Sequence, residues 1–177
     1  RGDTAYRGGR GRGVFGGGYG TSPWPNINTI DYVTIATLGN AQDFGDLTVR
    51  RSAKPGGSSA TRGVFISGRF PGGNPAAANV MDYVEIQSTG NAMDFGDLHT
   101  TDNPNQKAAS NQTRSVFAGG YKLTTSDRWQ NTIGYFNIAT KGNTSSFGSL
   151  EIPGRKLYTG SNGTRGIYAG NRGNTYG

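Results

Sequence analysis

The chain has 177 residues, 31 of them glycine, with 32% hydrophobic and 16% charged residues. That glycine load excludes a helical bundle, which needs long glycine-poor stretches of Leu, Ala, Glu and Lys, and no run of about 18 apolar residues exists to cross a membrane as a helix, so no membrane insertion is expected. Cysteine is absent, which excludes a disulfide framework, a zinc-thiolate site and a cysteine nucleophile; the formal charge of +7 is scattered apart from Arg1, Arg7, Arg10 and Arg12, a solvated basic arm that gives no reason to expect a nucleic-acid partner.

Beyond the arm, Arg12-Gly13-Val14-Phe15 is a short apolar strand signal running into Gly16-Gly17-Gly18. A loop from Tyr19 to Ile27 follows, then Thr29 to Thr37, whose β-branched and aromatic residues predict a strand. Its alternation puts Ile30 and Tyr32 on one side and Val33 and Ile35 on the other. A strand apolar on both sides belongs in a sheet covered on both faces. Gly39-Asn40 fits a tight turn, and Asp43-Phe44-Gly45-Asp46-Leu47 closes the unit.

The same order of elements then returns. Arg12-Gly13-Val14-Phe15 recurs as Arg62-Gly63-Val64-Phe65, Arg114-Ser115-Val116-Phe117 and Arg165-Gly166-Ile167-Tyr168, at spacings of 50, 52 and 51 residues. Tyr32 recurs as Tyr83 and Tyr135, Gly39-Asn40 as Gly90-Asn91 and Gly142-Asn143, and Phe44-Gly45 as Phe95-Gly96 and Phe147-Gly148. Anchors that hold phase in this way define repeats over residues 1–50, 51–101 and 102–153, with a partial fourth over 154–177. Each arginine precedes an apolar strand, and Asp31 and Asp82 recur on the neighbouring one, so an arginine–carboxylate bond between strands or between blades is expected, though not in every unit, since Gly134 replaces the aspartate in the third.

These residues resemble a kelch-type repeat: a hydrophobic strand ending in glycines (Val14-Phe15-Gly16-Gly17, Val116-Phe117-Ala118-Gly119-Gly120), a variable loop, a Tyr-centred strand, a turn, and an aromatic residue before the next unit. Phe44, Phe95 and Phe147 stand where that family carries tryptophan. The wording Asn28-Thr29-Ile30-Asp31-Tyr32-Val33-Thr34-Ile35, then a Gly-Asn turn and Asp43-Phe44-Gly45-Asp46-Leu47, is similar to repeats in virion structural, fibre-like proteins of marine tailed bacteriophages. The resemblance implies an all-β chain of kelch-like β-propeller blades, located in the virion or, failing that, extracellular. Propellers typically have 4–8 blades, more than three repeats and part of a fourth supply. The expectation is therefore a fragment of a longer repeat protein or a propeller completed by another chain, by self-association for instance. A β-trefoil is the alternative, although its Gln-x-Trp signature is missing.

No enzyme and no cofactor are expected. The copper site of galactose oxidase, a related fold, needs histidines and a cysteine-linked tyrosine, whereas the single histidine here, His99, stands where other units carry Thr48 and Glu151 and reads as a surface-loop residue. The acidic pairs Asp43/Asp46 and Asp94/Asp97 become Ser146/Ser149 in the third unit and read as turn capping rather than a calcium site. Variation concentrates in the loops after the glycine-rich strands. They carry Tyr19, Trp24, Arg69, Phe70, Tyr121, Lys122, Arg128 and Trp129, the candidate residues for binding a partner. Aromatic faces beside cationic groups suit another virion or structural protein chain, or a host-surface glycan.

Overall fold

The computed structural model describes residues 11–21, 26–52, 55–70, 79–100, 106–122, 129–154 and 157–170. Among them the chain is all-β: thirteen antiparallel strands in four small sheets, with no helix. The first sheet is β1 (Arg12–Tyr19), β2 (Asn26–Thr34) and β3 (Gln42–Asp46). The second is β4 (Gly56–Ser58), β5 (Arg62–Ile66), β6 (Val80–Glu85) and β7 (Met93–Asp97). The third is β8 (Lys107–Ser110), β9 (Arg114–Ala118), β10 (Thr132–Asn137) and β11 (Ser145–Ser149), and the last is the pair β12 (Tyr158–Ser161) and β13 (Gly166–Ala169). Every strand pairs with its neighbour in sequence, so each sheet is a meander.

One register recurs in three sheets. Val14 lies opposite Tyr32, Val64 opposite Tyr83 and Val116 opposite Tyr135, a β-branched residue against an aromatic one across the ladder. The arginine two residues earlier is on the same face, because side chains alternate. Its guanidinium therefore lies over the tyrosine ring: Arg12 over Tyr32 at 4.7 Å, Arg62 over Tyr83 at 4.6 Å and Arg114 over Tyr135 at 4.7 Å. The expected arginine–carboxylate bond does not go to the repeated aspartates, for the same reason. Asp31 and Asp82 lie opposite Phe15 and Phe65, on the other face of the sheet. Arg62 instead pairs with Glu85, directly across from it, at 2.7 Å.

The core sits between consecutive sheets. Val14, Ile30, Phe44 and Leu47 of the first sheet and its flank pack against Phe65, Val84, Ile86 and Ala92 of the second and its flanks. Val64, Ile66, Met81, Phe95 and Leu98 of the second and its flank then pack against Phe117, Phe136 and Ile138 of the third. The second sheet thus buries both faces, as its two-sided apolar strand predicts. The first and third each bury one face fully and expose apolar residues on the other. Ile35 is 63% exposed where Ile86 and Ile138 are 0%, and Phe147 is 55% exposed where Phe44 and Phe95 are 2%.

Backbone contacts join the sheets as well. The Gly-Asn turn of each later unit docks on the outer strand of the sheet before it. Gly90 and Ala92 donate N–H to the carbonyls of Phe44 and Asp46 at 2.7 and 2.8 Å, and Gly142 and Thr144 donate to those of Phe95 and Asp97, both at 2.9 Å. The turn asparagine accepts in return, Asn91 from the Asp46 N–H at 3.0 Å and Asn143 from the Asp97 N–H at 2.9 Å. This docking covers edges that would otherwise offer unpaired backbone groups. It also explains the glycines after Phe44 and Phe95. Gly45 and Gly96 have φ of +144° and +145°, and a Cβ there would run into the backbone of Gly90 and Gly142. The stacked arginines complete the join: Arg12 Nη1 donates to the Ile86 carbonyl at 2.9 Å, and Arg62 Nη1 to those of Ile138 and Ala139 at 3.0 and 2.9 Å.

Candidate binding surfaces

The loops singled out in the sequence leave β1, β5 and β9. Tyr19 ends β1, opposite Asn26, and is 57% exposed. Arg69 makes a two-way backbone bridge with Ser52, N–H to carbonyl at 2.7 and 3.0 Å, and its carbonyl also accepts from Asn26 Nδ2 at 3.1 Å. Its backbone thus ties the loop of the second sheet to the first, while its side chain is exposed and neighbouring Phe70 is half-buried. Tyr121 and Trp129 are bridge partners across the base of the third loop. Their rings meet edge to face at 5.5 Å and both are half-buried, as is Lys122. Trp24 and Arg128 lie outside the described residues. The structure therefore brings Tyr121 and Trp129 together. Tyr19 stays on the first sheet, and Arg69 and Phe70 lie in the loop of the second, which the Arg69 carbonyl ties to Asn26.

The linkers between sheets hold polar groups that sequence reading passed over. Arg51, fully buried, meets the fully buried Asp82 at 2.7 Å, and Asp82 also accepts from the Thr48 hydroxyl at 2.5 Å and its N–H at 3.3 Å. Burial pulls the Arg51 guanidinium below its ordinary pKa, and attraction to Asp82 opposes that shift. At the next interface Gly134 stands in the place of Asp82. The Phe117 ring lies where its Cβ would be, with His99 Cε1 2.8 Å from that point. His99, in an exposed loop, holds Thr144 Oγ1 through its N–H at 2.8 Å and its Nδ1 at 2.7 Å. Partial burial lowers its imidazole pKa. Among the described residues no group of three or more His, Cys, Asp or Glu side chains converges.

A second surface opens beside the third sheet. The hairpin β12–β13 covers part of it: Thr159 and Ser161 hydroxyls donate to the carbonyls of Ala108 and Ser110 at 2.9 and 2.7 Å, and the Tyr168 hydroxyl to that of Val116 at 2.6 Å. Burial raises the Tyr168 pKa. Outside that cover runs a groove of about 540 Å³, whose lining includes Arg114, Val116, Ile133 and Phe147 of the third sheet and Ile167 and Tyr168 of the hairpin. Ile167 is 66% exposed where Val14 and Val64, its counterparts, are 1% and 0%. Phe147 and Ile167 were legible in the repeat as Phe and Val/Ile anchors; that they face solvent follows only from the stacking. Truncating Phe95 to alanine is expected to cost about 3–5 kcal/mol, and Phe147→Ala under about 1 kcal/mol. Urea unfolding of the two variants checks this, and equal losses would contradict the asymmetry.

The chain matches no known family model and no curated protein.

Proposed function

We propose that the chain is a non-enzymatic binding module built of kelch-like propeller blades, a structural component of a virion such as a fibre or decoration protein, acting through contact with other protein chains or a host surface. The propeller reading is supported by two four-stranded meanders that follow one another in the chain and then a hairpin, with β4 against β8 and β8 against β12. A propeller arranges its innermost strands in that way, whereas a trefoil does not build successive four-stranded meanders. The observation that carries the binding role is the groove beside the third sheet, where Phe147 and Ile167 stand exposed at positions the first two units bury. Apolar surface of this kind on a protein marks a contact site. The virion assignment rests on the wording of the repeats alone.

The edge-to-face pair Tyr121–Trp129 favours a second reading, a glycan-binding domain of a secreted protein, since an aromatic face suits a sugar ring. A glycan array with the purified chain separates the two. The protein-contact reading expects a flat array for the wild type and for Trp129→Ala. Saturable sugar binding that Trp129→Ala abolishes would replace it with the lectin reading.

A further inference from the structure

We infer that the interface between the first and second sheets and the interface between the second and third carry different, mutually exclusive sets of matched residues. These sets fix the order in which the units dock and reject a unit offered out of place, whether from the same chain or from a second copy.

The likeness of the repeats calls for such a device. Val14 faces Tyr32, Val64 faces Tyr83 and Val116 faces Tyr135 in one register, and the Gly-Asn turns dock in the same way at both interfaces. Residues that every unit shares cannot tell one unit from another. The choice rests on residues that differ, and a wrong partner is rejected where it strands a buried polar group or overfills the core.

The phenylalanine of the arriving sheet shows the first difference. Gly16 and Ile66 hold equivalent places, opposite Ile30 and Met81. The Phe65 ring of the second sheet lies over Gly16, its Cε1 2.9 Å from where a Cβ would be. At the next interface Ile66 fills that place. Phe117, the counterpart of Phe65, lies instead over Gly134 of its own sheet, with Cε2 2.7 Å from the point a Cβ would occupy. The counterpart of Gly134 is Asp82, opposite Phe65, so the second sheet carries a side chain where the Phe117 ring rests in the third. Each ring goes to the side that has the glycine.

The N–H after each repeated leucine changes partner in step. After Leu47, the Thr48 N–H goes to Asp82 at 3.3 Å, and the same carboxylate takes the Thr48 hydroxyl and Arg51. After Leu98, His99 finds no side-chain acceptor at Gly134, and its N–H goes to Thr144 Oγ1 at 2.8 Å. Thr144 is the counterpart of Ala92, since their N–H groups bond to the carbonyls of Asp97 and Asp46, and Ala92 has no hydroxyl to offer. The first interface thus uses Gly16, Arg51, Asp82 and Ala92 together, and the second Ile66, Gly134 and Thr144. The third unit docked on the first would leave Arg51 buried without its carboxylate. The second unit of another copy docked on the second sheet would drive Phe65 against Ile66 and bury Asp82 without Arg51. Stranded charge and overfilled core each reject the wrong pairing.

The test is a double-mutant cycle on the whole chain, read by urea unfolding. Gly16 lies outside the positive-φ positions, so a side chain there meets the Phe65 ring without backbone strain. In an Arg51→Met background, which keeps the guanidinium from being stranded, Gly16→Ile and Asp82→Gly are made singly and together. Asp82→Gly opens the place over which the Phe65 ring can move, so the loss in folding equilibrium from Gly16→Ile is expected to shrink at least about tenfold when both are present. Gly16→Ala in the same cycle, with a smaller side chain against the ring, covers the case in which Gly16→Ile does not fold. A second arm combines Gly16→Ile, Arg51→Met, Asp82→Gly and Ala92→Thr, which gives both interfaces one set. That variant is expected to fold, and on refolding from urea at high concentration to yield a larger fraction of interleaved dimers than the wild type, by light scattering. Additive losses in the cycles overturn the matching of residues. Coupled losses with a dimer fraction no higher than that of the wild type overturn its role in ordering the units.

Discussion

Gly96→Ala is expected to remove about 2–6 kcal/mol of stability. Two costs combine: a non-glycine residue at φ of +145° carries strain of about 1–3 kcal/mol, and forcing a Cβ into a filled site typically costs about 1–3 kcal/mol more. The filled site here is backbone, since the Gly142 carbonyl oxygen lies 2.5 Å from that Cβ. Backbone cannot swing aside as a side-chain tip can, so the turn itself would have to leave β7 and take the bonds from Gly142 and Thr144 with it. Gly148→Ala is the internal control. Its φ of +156° is similar but its surroundings are empty, so only the first cost applies, about 1–3 kcal/mol. Urea denaturation of both variants measures the difference. Equal losses would mean that close approach of the next unit contributes nothing.

Asp82→Ala is expected to cost about 3–5 kcal/mol, the usual penalty for stranding one member of a buried ion pair. Both side chains are 0% exposed, and Arg51 and the Thr48 hydroxyl would lose their shared acceptor. The penalty comes from the uncompensated charge rather than from the attraction itself. Removing both charges, as in Arg51→Met with Asp82→Leu, is therefore expected to recover most of the loss. A chemical-denaturation cycle over the two single variants and the double reads this directly. A loss under about 1 kcal/mol for Asp82→Ala would contradict it.

Much of the fold was legible because the repeat exposes it. Val14, Tyr32, Phe44 and their counterparts hold phase through the sequence, and alternation along Thr29 to Thr37 and its counterparts predicted sheets buried on both faces, which the second sheet has and the first and third, with Ile35 and Phe147 exposed, do not. The Gly-Asn turn was legible as a turn. Its role as a clasp on the preceding sheet was not, because its partners lie about one repeat away, Phe44 for Gly90 and Asp46 for Ala92. The arginines were legible as repeated features but were assigned the wrong partner. Deciding between Asp31 and Tyr32 requires knowing which face Arg12 occupies, and only the register with β2 settles that. Arg51 was silent because its linker does not repeat: the next one has Asp102 in the corresponding place. Of the described candidate loop residues, Tyr121 and Trp129 meet, joined by the bridge that closes their loop. Loop conformation depends on such local closures, which composition does not encode.

The central claim is that each unit is completed by the next, whose turn clasps the outer strand and whose apolar strand covers the face. Amide hydrogen exchange on the whole chain tests it most directly, by comparing one turn in three settings. The Gly90 and Gly142 amides, bonded to Phe44 and Phe95 at 2.7 and 2.9 Å, should exchange only when the sheets part, at least about a thousandfold slower than the exposed Gly39 amide once intrinsic rates are corrected. Equal, fast exchange at all three glycines would show that the units do not lean on one another, and would contradict the account.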